Sequence, residues 1–487
     1  MNIVDRFRGA MDWIGRYSCR GGGIAVSSRS SRPYPEVTGY FIPSLLAWNE
    51  QDRASAYGAW LSSCQANDGS WDGPNGDGRY VFDTGQVVKG LLALAKATGD
   101  DVWRDPIYRA CDWMCSTISD SGEPVAADVG KWGDAVPLGV LLYAFQAVRD
   151  AGNYLEEPRW SSAVDRAINW LLAQPALTDF THLSHFHAYI LESLCDLGHH
   201  DRAREGLEAV ARFQRRNGAV PGYPNVRWVC STGLFQYAIV WYKLGERERG
   251  DLAFNYAAKL QNRSGGWYGS YGWFAKYFPK TEISWAVKYF LDALEWRLRV
   301  SFEHQSSIFS EKIDLEDGRY RLVRNIINKT GANIILDAGC GKGRYLRNLL
   351  AECSGLDLHA VDLSTQVMAT LPSSIKKSQG SLLRLPYPDA QFDCVYSVEA
   401  LEHAVHIDGA LRELVRVLKR GGTLIIIDKR IEQLGRLELP DWEQWFGIDD
   451  LARRLQALGC EVTIHDNVSY DGRADGLFAA WVAVRRD

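Results

Sequence analysis

Fifteen of the eighteen tryptophans in this 487-residue chain lie before residue 300, and their intervals constrain the fold more than any other feature. Trp13, Trp60, Trp113 and Trp170, followed by Phe213 and Leu260, stand near the ends of apolar-periodic runs at spacings of 47, 53, 57, 43 and 47 residues. Several copies continue alike into a Gly-rich turn: WLSSCQANDGSW from Trp60, FQRRNGAVPGY from Phe213 and LQNRSGGWYGS from Leu260. The runs 84–97, 134–148, 185–197, 231–244 and 283–298 carry helical periodicity, and Gly, Pro and Asp clusters separate them. A period of this size built from helical hairpins marks a repeat architecture. Six pairs favour a closed ring over an open solenoid, because closure buries both end faces without special capping repeats.

Only Trp442, Trp445 and Trp481 lie beyond that region, so a boundary is expected within 302–317. The division is residues 1–300, a linker at 301–317, and a second domain at 318–487. At 46% hydrophobic and 24% charged residues, the chain is too apolar for intrinsic disorder. A net charge of -5 gives no electrostatic footprint for nucleic acid. The first twenty residues carry Asp5, Arg6, Arg8, Asp12 and Arg16 and lack the apolar run of a signal peptide. No stretch reaches the roughly eighteen apolar residues of a membrane span. Ten cysteines form no CxxC pair and no Cys/His cluster at zinc spacing, so reduced thiols, a cytoplasmic location and no metal are expected.

The segments QANDGSW (65–71), FDTGQVVKGLL (82–92), HAYILESLCDL (187–197), CSTGLFQYAIVWYKL (230–244) and SWAVKYFLDAL (284–294) resemble the six-hairpin α/α toroids. That superfamily includes terpene-cyclase-like repeats, glycan epimerases, unsaturated-uronate hydrolases and polysaccharide lyases. The likeness is greater to toroids of bacterial polysaccharide clusters than to true terpene cyclases, whose acidic DxDD motif is absent. The resemblance implies an all-α (α/α)6 toroid whose inner helices end at one rim around a concave pocket, a default binding site. Candidates from the matched motifs are Asp68, Trp71, Asp83, Gln86, His185, His187, Trp228, Gln236, Trp267 and Trp285. Asp68 in its Asn-Asp-Gly turn reads as capping its own backbone. Asp83, directly before a helical run, reads as an N-cap. His185 and His187 flank Phe186 and point to different sides, so at most one enters the pocket. Tryptophans inside hairpins read as core, whereas Trp71 and Trp267 in the turns are expected to offer aromatic platforms to a sugar. No carboxylate pair stands at a spacing that demands chemistry. Glycan binding through Trp71, Asp83, His187, Trp228 and Trp267 is therefore expected ahead of toroid catalysis.

Beyond residue 333 the pattern changes to alternating strands and helices. NIILD (333–337) is a short β-branched run, and AGCGKGRYLR (338–347) turns through glycines into a helix. Further strands are expected at 359–362, 392–397 and 423–427, with a helix at 410–419 and a Gly421-Gly422 turn. This alternation predicts a doubly wound, mostly parallel α/β sheet with ligand beyond the carboxyl ends of its strands. A dinucleotide fingerprint requires glycines at 339, 341 and 344, but position 344 is Arg; the pattern is Asp337-x-Gly339-x-Gly341-x-Gly343.

With HAVDLS (359–364), LPYPDAQFDCVYSVEALEH (385–403) and RELVRVLKRGGTLIIID (412–428), this series is similar to the class I S-adenosylmethionine-dependent methyltransferases over residues 316–487. The resemblance implies S-adenosyl-L-methionine as cofactor and a Rossmann-like domain. Asp337, Gly339, Cys340, Gly341 and Gly343 would cradle the methionine moiety, and Asp362 with Leu363 the ribose hydroxyls. Ser381 and Leu382 stand at the adenine, where the common pattern has Asp, and Ser397 where donor and acceptor meet. His403 is the first candidate base for a weakly nucleophilic hydroxyl, with Glu399 and Glu402 as alternatives and Asp428 and Lys429 facing the same cleft. Residues 442–446 (WEQWF) are expected to cover the acceptor side, and 461–465 with 477–484 to form an antiparallel edge pair. The expected acceptor is a glycan, sugar nucleotide or lipid-linked sugar of bacterial surface-polysaccharide biosynthesis. An active epimerase, lyase or hydrolase in the toroid, a toroid acting as scaffold, and a lipid or isoprenoid acceptor are the alternatives.

Overall fold

The computed structural model describes residues 2–73, 76, 78–125, 136–304 and 309–486. The chain divides into two compact units, one holding Asp5–Leu46 and Glu50–Leu298, the other Met1–Val4, Ala47–Asn49 and Arg299–Asp487. The expected start of a helix at residue 134, and residues 305–308 of the expected linker, lie outside the described residues.

The first unit is built from twelve α-helices among the described residues, of which the first, second and last run a few residues into the other unit: α1 (Ile3–Tyr17), α2 (Pro35–Ala47), α3 (Gln51–Ser63), α4 (Val81–Thr98), α5 (Arg104–Ser116), α6 (Leu141–Leu155), α7 (Pro158–Leu172), α8 (Ser184–Asp196), α9 (His200–Ala211), α10 (Ser231–Lys243), α11 (Arg247–Lys259) and α12 (Ser284–His304). Even-numbered helices are apolar on nearly every side and form an inner ring; odd-numbered ones keep a solvated face. Thus α10 buries twelve of its thirteen residues, whereas α9 buries only four of its twelve. The repeat landmarks fall on or just after the outer helices: Trp13 on α1, Trp60 on α3, Trp113 on α5, Trp170 on α7, Phe213 after α9 and Leu260 after α11.

The ring closes through a contact repeated around it. After each of several outer helices a turn glycine with positive φ presses on the backbone of the next outer helix. A Cβ at Gly69 would meet Arg109 O at 2.3 Å, one at Gly122 would meet Arg166 O at 2.5 Å, and one at Gly218 would meet Leu252 O at 2.0 Å. Gly265 makes the same contact with α1, where its Cβ would meet Gly9 O at 1.9 Å. Trp13 Nε1 donates to Glu282 Oε2 at 2.8 Å, and Ser44 Oγ donates to Asp292 Oδ1 at 2.5 Å, joining the first hairpin to the last.

In the second unit α13 (Gly318–Thr330) starts on the Asp317 cap, whose side chain accepts from Arg319 N, and stops at left-handed Gly331. A seven-stranded sheet follows, formed by β3 (Ile334–Ala338), β4 (Asp357–Asp362), β5 (Lys376–Gln379), β6 (Phe392–Val398), β7 (Leu418–Lys429), β8 (Cys460–Tyr470) and β9 (Arg473–Arg485) in the order β5-β4-β3-β6-β7-β9-β8. Strands β5 to β7 run parallel, and β9 is antiparallel to both β7 and β8. Helices α14 (Arg344–Glu352), α15 (Ile407–Arg416) and α16 (Ile448–Ala457) complete the unit. The first unit carries only a two-residue ladder of β1 (Val229–Cys230) with β2 (Ser270–Tyr271).

Strand β7 begins before the expected Gly421-Gly422 turn and runs through it, with Gly421 at φ 74°. Strand β5 has no apolar signal because it is an edge with mostly exposed residues. The strand order changes direction between β3 and β6, which opens a crevice at their carboxyl ends.

Candidate active site

At that crevice β3 ends on Asp337 and the chain turns through three left-handed glycines, Gly339 (φ 84°), Gly341 (φ 52°) and Gly343 (φ 69°), before α14. Gly339 is a position of close approach: its Cβ would lie 2.4 Å from that of Ala400. The loop is latched to β4, with Gly339 N and Cys340 N both donating to Val361 O at 2.9 and 3.1 Å. Asp362 accepts Gly341 N on Oδ2 at 2.9 Å and Ser364 N on Oδ1 at 3.0 Å, which leaves each oxygen a further lone pair. Burial raises its pKa against those backbone bonds.

Asp337 is buried and its Oδ2 has no hydrogen-bond partner. Burial pushes its carboxyl up to about 8. Ser397 Oγ, at the end of β6, is likewise buried and unpartnered. Orphaned acceptors beside an open glycine turn, where a Cβ at Gly341 would meet nothing within 4 Å, are what a ligand bearing an ammonium and hydroxyl groups requires. The residues present therefore fit S-adenosylmethionine. Cys340 is buried in the core with Sγ turned to Gly341 O. Leu363 O accepts Gln379 Nε2 at 2.9 Å. Ser381 Oγ accepts Leu383 N at 3.1 Å, and Ser381 and Leu382 are both half-buried.

The catalytic candidates have unequal environments. Glu399, in the left-handed region at φ 53°, receives Arg319 Nη1 at 2.7 Å and Arg344 Nη2 at 2.5 Å. Burial pushes its pKa up, but Arg344 and Arg319 outweigh it and hold the carboxyl below its usual range. Both guanidinium groups bond the same oxygen, so Glu399 pins α13 and α14 beside the crevice and is a poor proton acceptor. Arg319 is itself forked onto Asp317 at 3.0 and 2.8 Å.

His403 departs from the expectation of a group titrating near neutrality: burial lowers its pKa to about 4, so the imidazole is neutral at physiological pH. Asp428 is fully buried, and neither of its oxygens has a partner. Burial and neighbouring Glu402 raise its pKa well above the usual carboxylate range, so it is a neutral carboxyl rather than a ready base. Lys429 Nζ donates to Glu402 Oε1 and, at 3.3 Å, to Glu443 Oε1. Trp442, Trp445 and Phe446 are buried, and Trp445 Nε1 donates to Glu443 Oε1 at 2.7 Å. Arg319, Arg344 and Glu443 escaped the sequence reading; only the side-chain partners that the fold gives them mark them out.

The toroid has a cavity of about 420 Å³ among the described residues. Its walls include Tyr34, Glu36, Asp83, His185, Tyr189 and Trp285. Of the five contacts expected from sequence, only Asp83 lines it. Asp83 is not an N-cap: α4 starts at Val81 after Tyr80, and Asp83 instead accepts the Tyr34 hydroxyl. Trp71 and Trp267 are not platforms. Each is wholly buried, with Nε1 donating to Leu61 O at 2.8 Å and Ala257 O at 2.9 Å, because the turn folds back onto its own outer helix. His187 is a core residue held by Tyr237 Oη at 2.8 Å and Thr178 O at 2.9 Å, while His185 faces the cavity and bonds Gln236 Oε1 at 2.6 Å. Trp228 packs with Leu183 and Cys230 instead of lining the cavity. Asp68 caps Ser70 N at 3.1 Å in its turn. Burial and Asp83 push Glu36 well above its usual range, against a smaller pull from Lys288.

Residues 336–426 match the methyltransferase domain family. The second unit carries a methyltransferase domain, with S-adenosylmethionine as its cofactor. A sterol 24-C-methyltransferase of Gibberella zeae is 30% identical over 201 residues, 37% of this chain and 53% of that protein. A demethylmenaquinone methyltransferase of Tropheryma whipplei is 25% identical over 189 residues, 32% of this chain and 78% of that protein. The chain thus spans about half the length of the first of these curated relatives. Among solved structures, an unsaturated glucuronyl hydrolase specific for heparin is similar at 12% identity and a TM-score of 0.48, covering 61% of this chain and 97% of that one. No helix among the described residues is long and apolar enough to cross a membrane.

Proposed function

We infer that the protein is an S-adenosylmethionine-dependent O-methyltransferase whose acceptor is a carbohydrate, with the toroid binding the glycan. The observation that carries this reading is the pairing, in one chain, of an orphaned cofactor cradle at Asp337 and Ser397 with a separate cavity lined by aromatic faces and two acids, Glu36 and Asp83. Aromatic rings offer apolar area to the C–H face of a pyranose while carboxyl and phenol groups bind its hydroxyls.

When bound, the cofactor supplies an electrophilic methyl group on a sulfonium. The chain's contribution is to hold the acceptor in line with it and to take its proton. Asp337 and Asp362 orient the donor from the two strand ends. Neutral His403 has an open Nδ1 for a hydroxyl proton, and ionised Glu399 fixes Arg319 and Arg344 around the entrance. Buried Trp442 and Trp445 keep water from this side.

A lipid acceptor is the second reading, favoured by the sterol 24-C-methyltransferase likeness. A catalytic toroid is a third, favoured by the proximity of Glu36 to Asp83. Incubation with radiolabelled methyl donor against panels of glycans and lipids, followed by product analysis, separates them. Label in a glycan ether supports the first reading, label only in lipid replaces it, and sugar turnover without methyl donor supports the third.

A further inference from the structure

The end of β7 and the chain following β6 bring together more carboxylate than the chain's own cations neutralise. Glu399 is satisfied by Arg319 and Arg344. That leaves Glu402, Glu443 and Asp428 around one ammonium, Lys429, which bonds Glu402 and Glu443 through their Oε1 atoms. With Asp428 a neutral carboxyl, Glu402 and Glu443 against one ammonium leave an excess of one negative charge when both are ionised. On the opposite side His403 sits with Nε2 at 3.7 Å from Glu402 Oε1 and Nδ1 at 3.8 Å from Glu443 Oε2. Glu402, His403 and Glu443 each offer a ligand atom within 4.8 Å of the others, the spread of three donors around one ion at ordinary metal–ligand distances. Unpartnered buried atoms belong to the same residues. Glu402 Oε2 and His403 Nδ1 are both buried without partners, and fully buried Asp428 next to Glu402 has neither oxygen bonded.

We propose that Glu402, His403 and Glu443 bind a divalent transition-metal cation, with Mn²⁺ and Zn²⁺ as the fitting class. Two carboxylates and one imidazole form a mixed oxygen and nitrogen set that suits these ions better than Ca²⁺ or Mg²⁺, which take oxygen donors. Three protein ligands leave positions open, and two adjacent hydroxyls of a sugar fill them as a chelate. Neutral Asp428 lies beside Glu402. The role assigned to the open positions rests on the carbohydrate reading above; the ion site does not, and with the ion bound it is the lowered pKa of the coordinated hydroxyl, not His403, that eases loss of the proton.

The test uses the intact chain, stripped with chelator and dialysed. Titration with Mn²⁺ followed by electron paramagnetic resonance is expected to show one tight site per chain, displaced by Zn²⁺ and not by equimolar Mg²⁺. Glu443→Gln and His403→Asn are each expected to weaken Mn²⁺ by about tenfold to a hundredfold, while calorimetric binding of S-adenosylmethionine shows that the variants are folded. Absence of a stoichiometric site overturns the proposal. So does a site that both variants leave intact, or one that forms only in Lys429→Met, which makes the ammonium the resident cation. Methyl transfer to glycan without a metal site sinks this proposal alone; a metal site without glycan methylation sinks the acceptor assignment alone.

Discussion

Asp337 carries a pH signature of its own. Burial holds its carboxyl up to about 8, so over most of the neutral range it is protonated until an ammonium is set beside it. A ligand ammonium binds the ionised form, which means that S-adenosylmethionine affinity rises with pH towards about 8 and falls again above it as the ligand's α-amino group loses its proton. The slope below that point approaches roughly tenfold per pH unit. Calorimetry from pH 6 to 9 is expected to trace this curve, and Asp337→Asn to flatten it. Stability without ligand runs the other way. The native state retains a proton that the unfolded state has released above the ordinary Asp pKa, so stability falls as pH rises from about 4 towards 8. Asp337→Asn is expected to be more stable than the parent at pH 8 in thermal melts. Asp362 differs because its oxygens already accept Gly341 N and Ser364 N. Asp362→Ala therefore loses both the ribose acceptor and the anchor of the glycine turn, and a loss of about a hundredfold in cofactor affinity is expected. Undiminished binding in that variant would remove Asp362 from the cradle.

At the level of elements, the turn glycines of the toroid are the joints of the ring. Gly265→Ala forces a Cβ into Gly9 O from a backbone at φ 91°, and it is expected to cost about 3 kcal/mol or more because backbone, not a flexible side chain, stands in the way. Gly245→Ala, at φ 80° with nothing within 4 Å, meets only the backbone penalty of about 1 kcal/mol. Equal melting temperatures for the two variants would mean that ring closure does not depend on this contact. The glycines were legible in the sequence as turn punctuation, and so were the inner helices, because residues such as Leu91, Ile190 and Phe235 repeat at helical period. What could not be read was direction. Trp71 and Trp267 sit in turns, and their sequence neighbourhood does not reveal that the indole folds back to donate to its own outer helix. Asp83 fits an N-cap pattern, yet α4 begins two residues earlier and turns it inward. In the second unit the glycine turn and the strand ends at Asp337 and Asp362 were readable because they lie in consecutive short motifs. Glu443 was not, since it meets His403 across forty residues that carry no spacing rule.

For the whole molecule, the question is whether the toroid cavity and the methyltransferase crevice serve one substrate. If they do, altering the cavity changes how the acceptor binds and leaves the donor untouched. Trp285 lines the cavity with 9% of its surface exposed, and Asp83 places a carboxyl there beside Tyr34. Removing an aromatic wall or a buried hydrogen-bonding group each costs a ligand about 1 to 3 kcal/mol. Trp285→Ala and Asp83→Asn are therefore expected to raise KM for a polymeric glycan by roughly tenfold or more, with kcat at saturating acceptor and the Kd of S-adenosylmethionine both retained. A short acceptor that fills only the crevice is expected to be methylated equally by parent and variants, because it forgoes the second contact. Unchanged KM for the polymer in both variants would make the cavity the site of a separate activity, and the acidic pair Glu36 and Asp83 would then be the place to look for it.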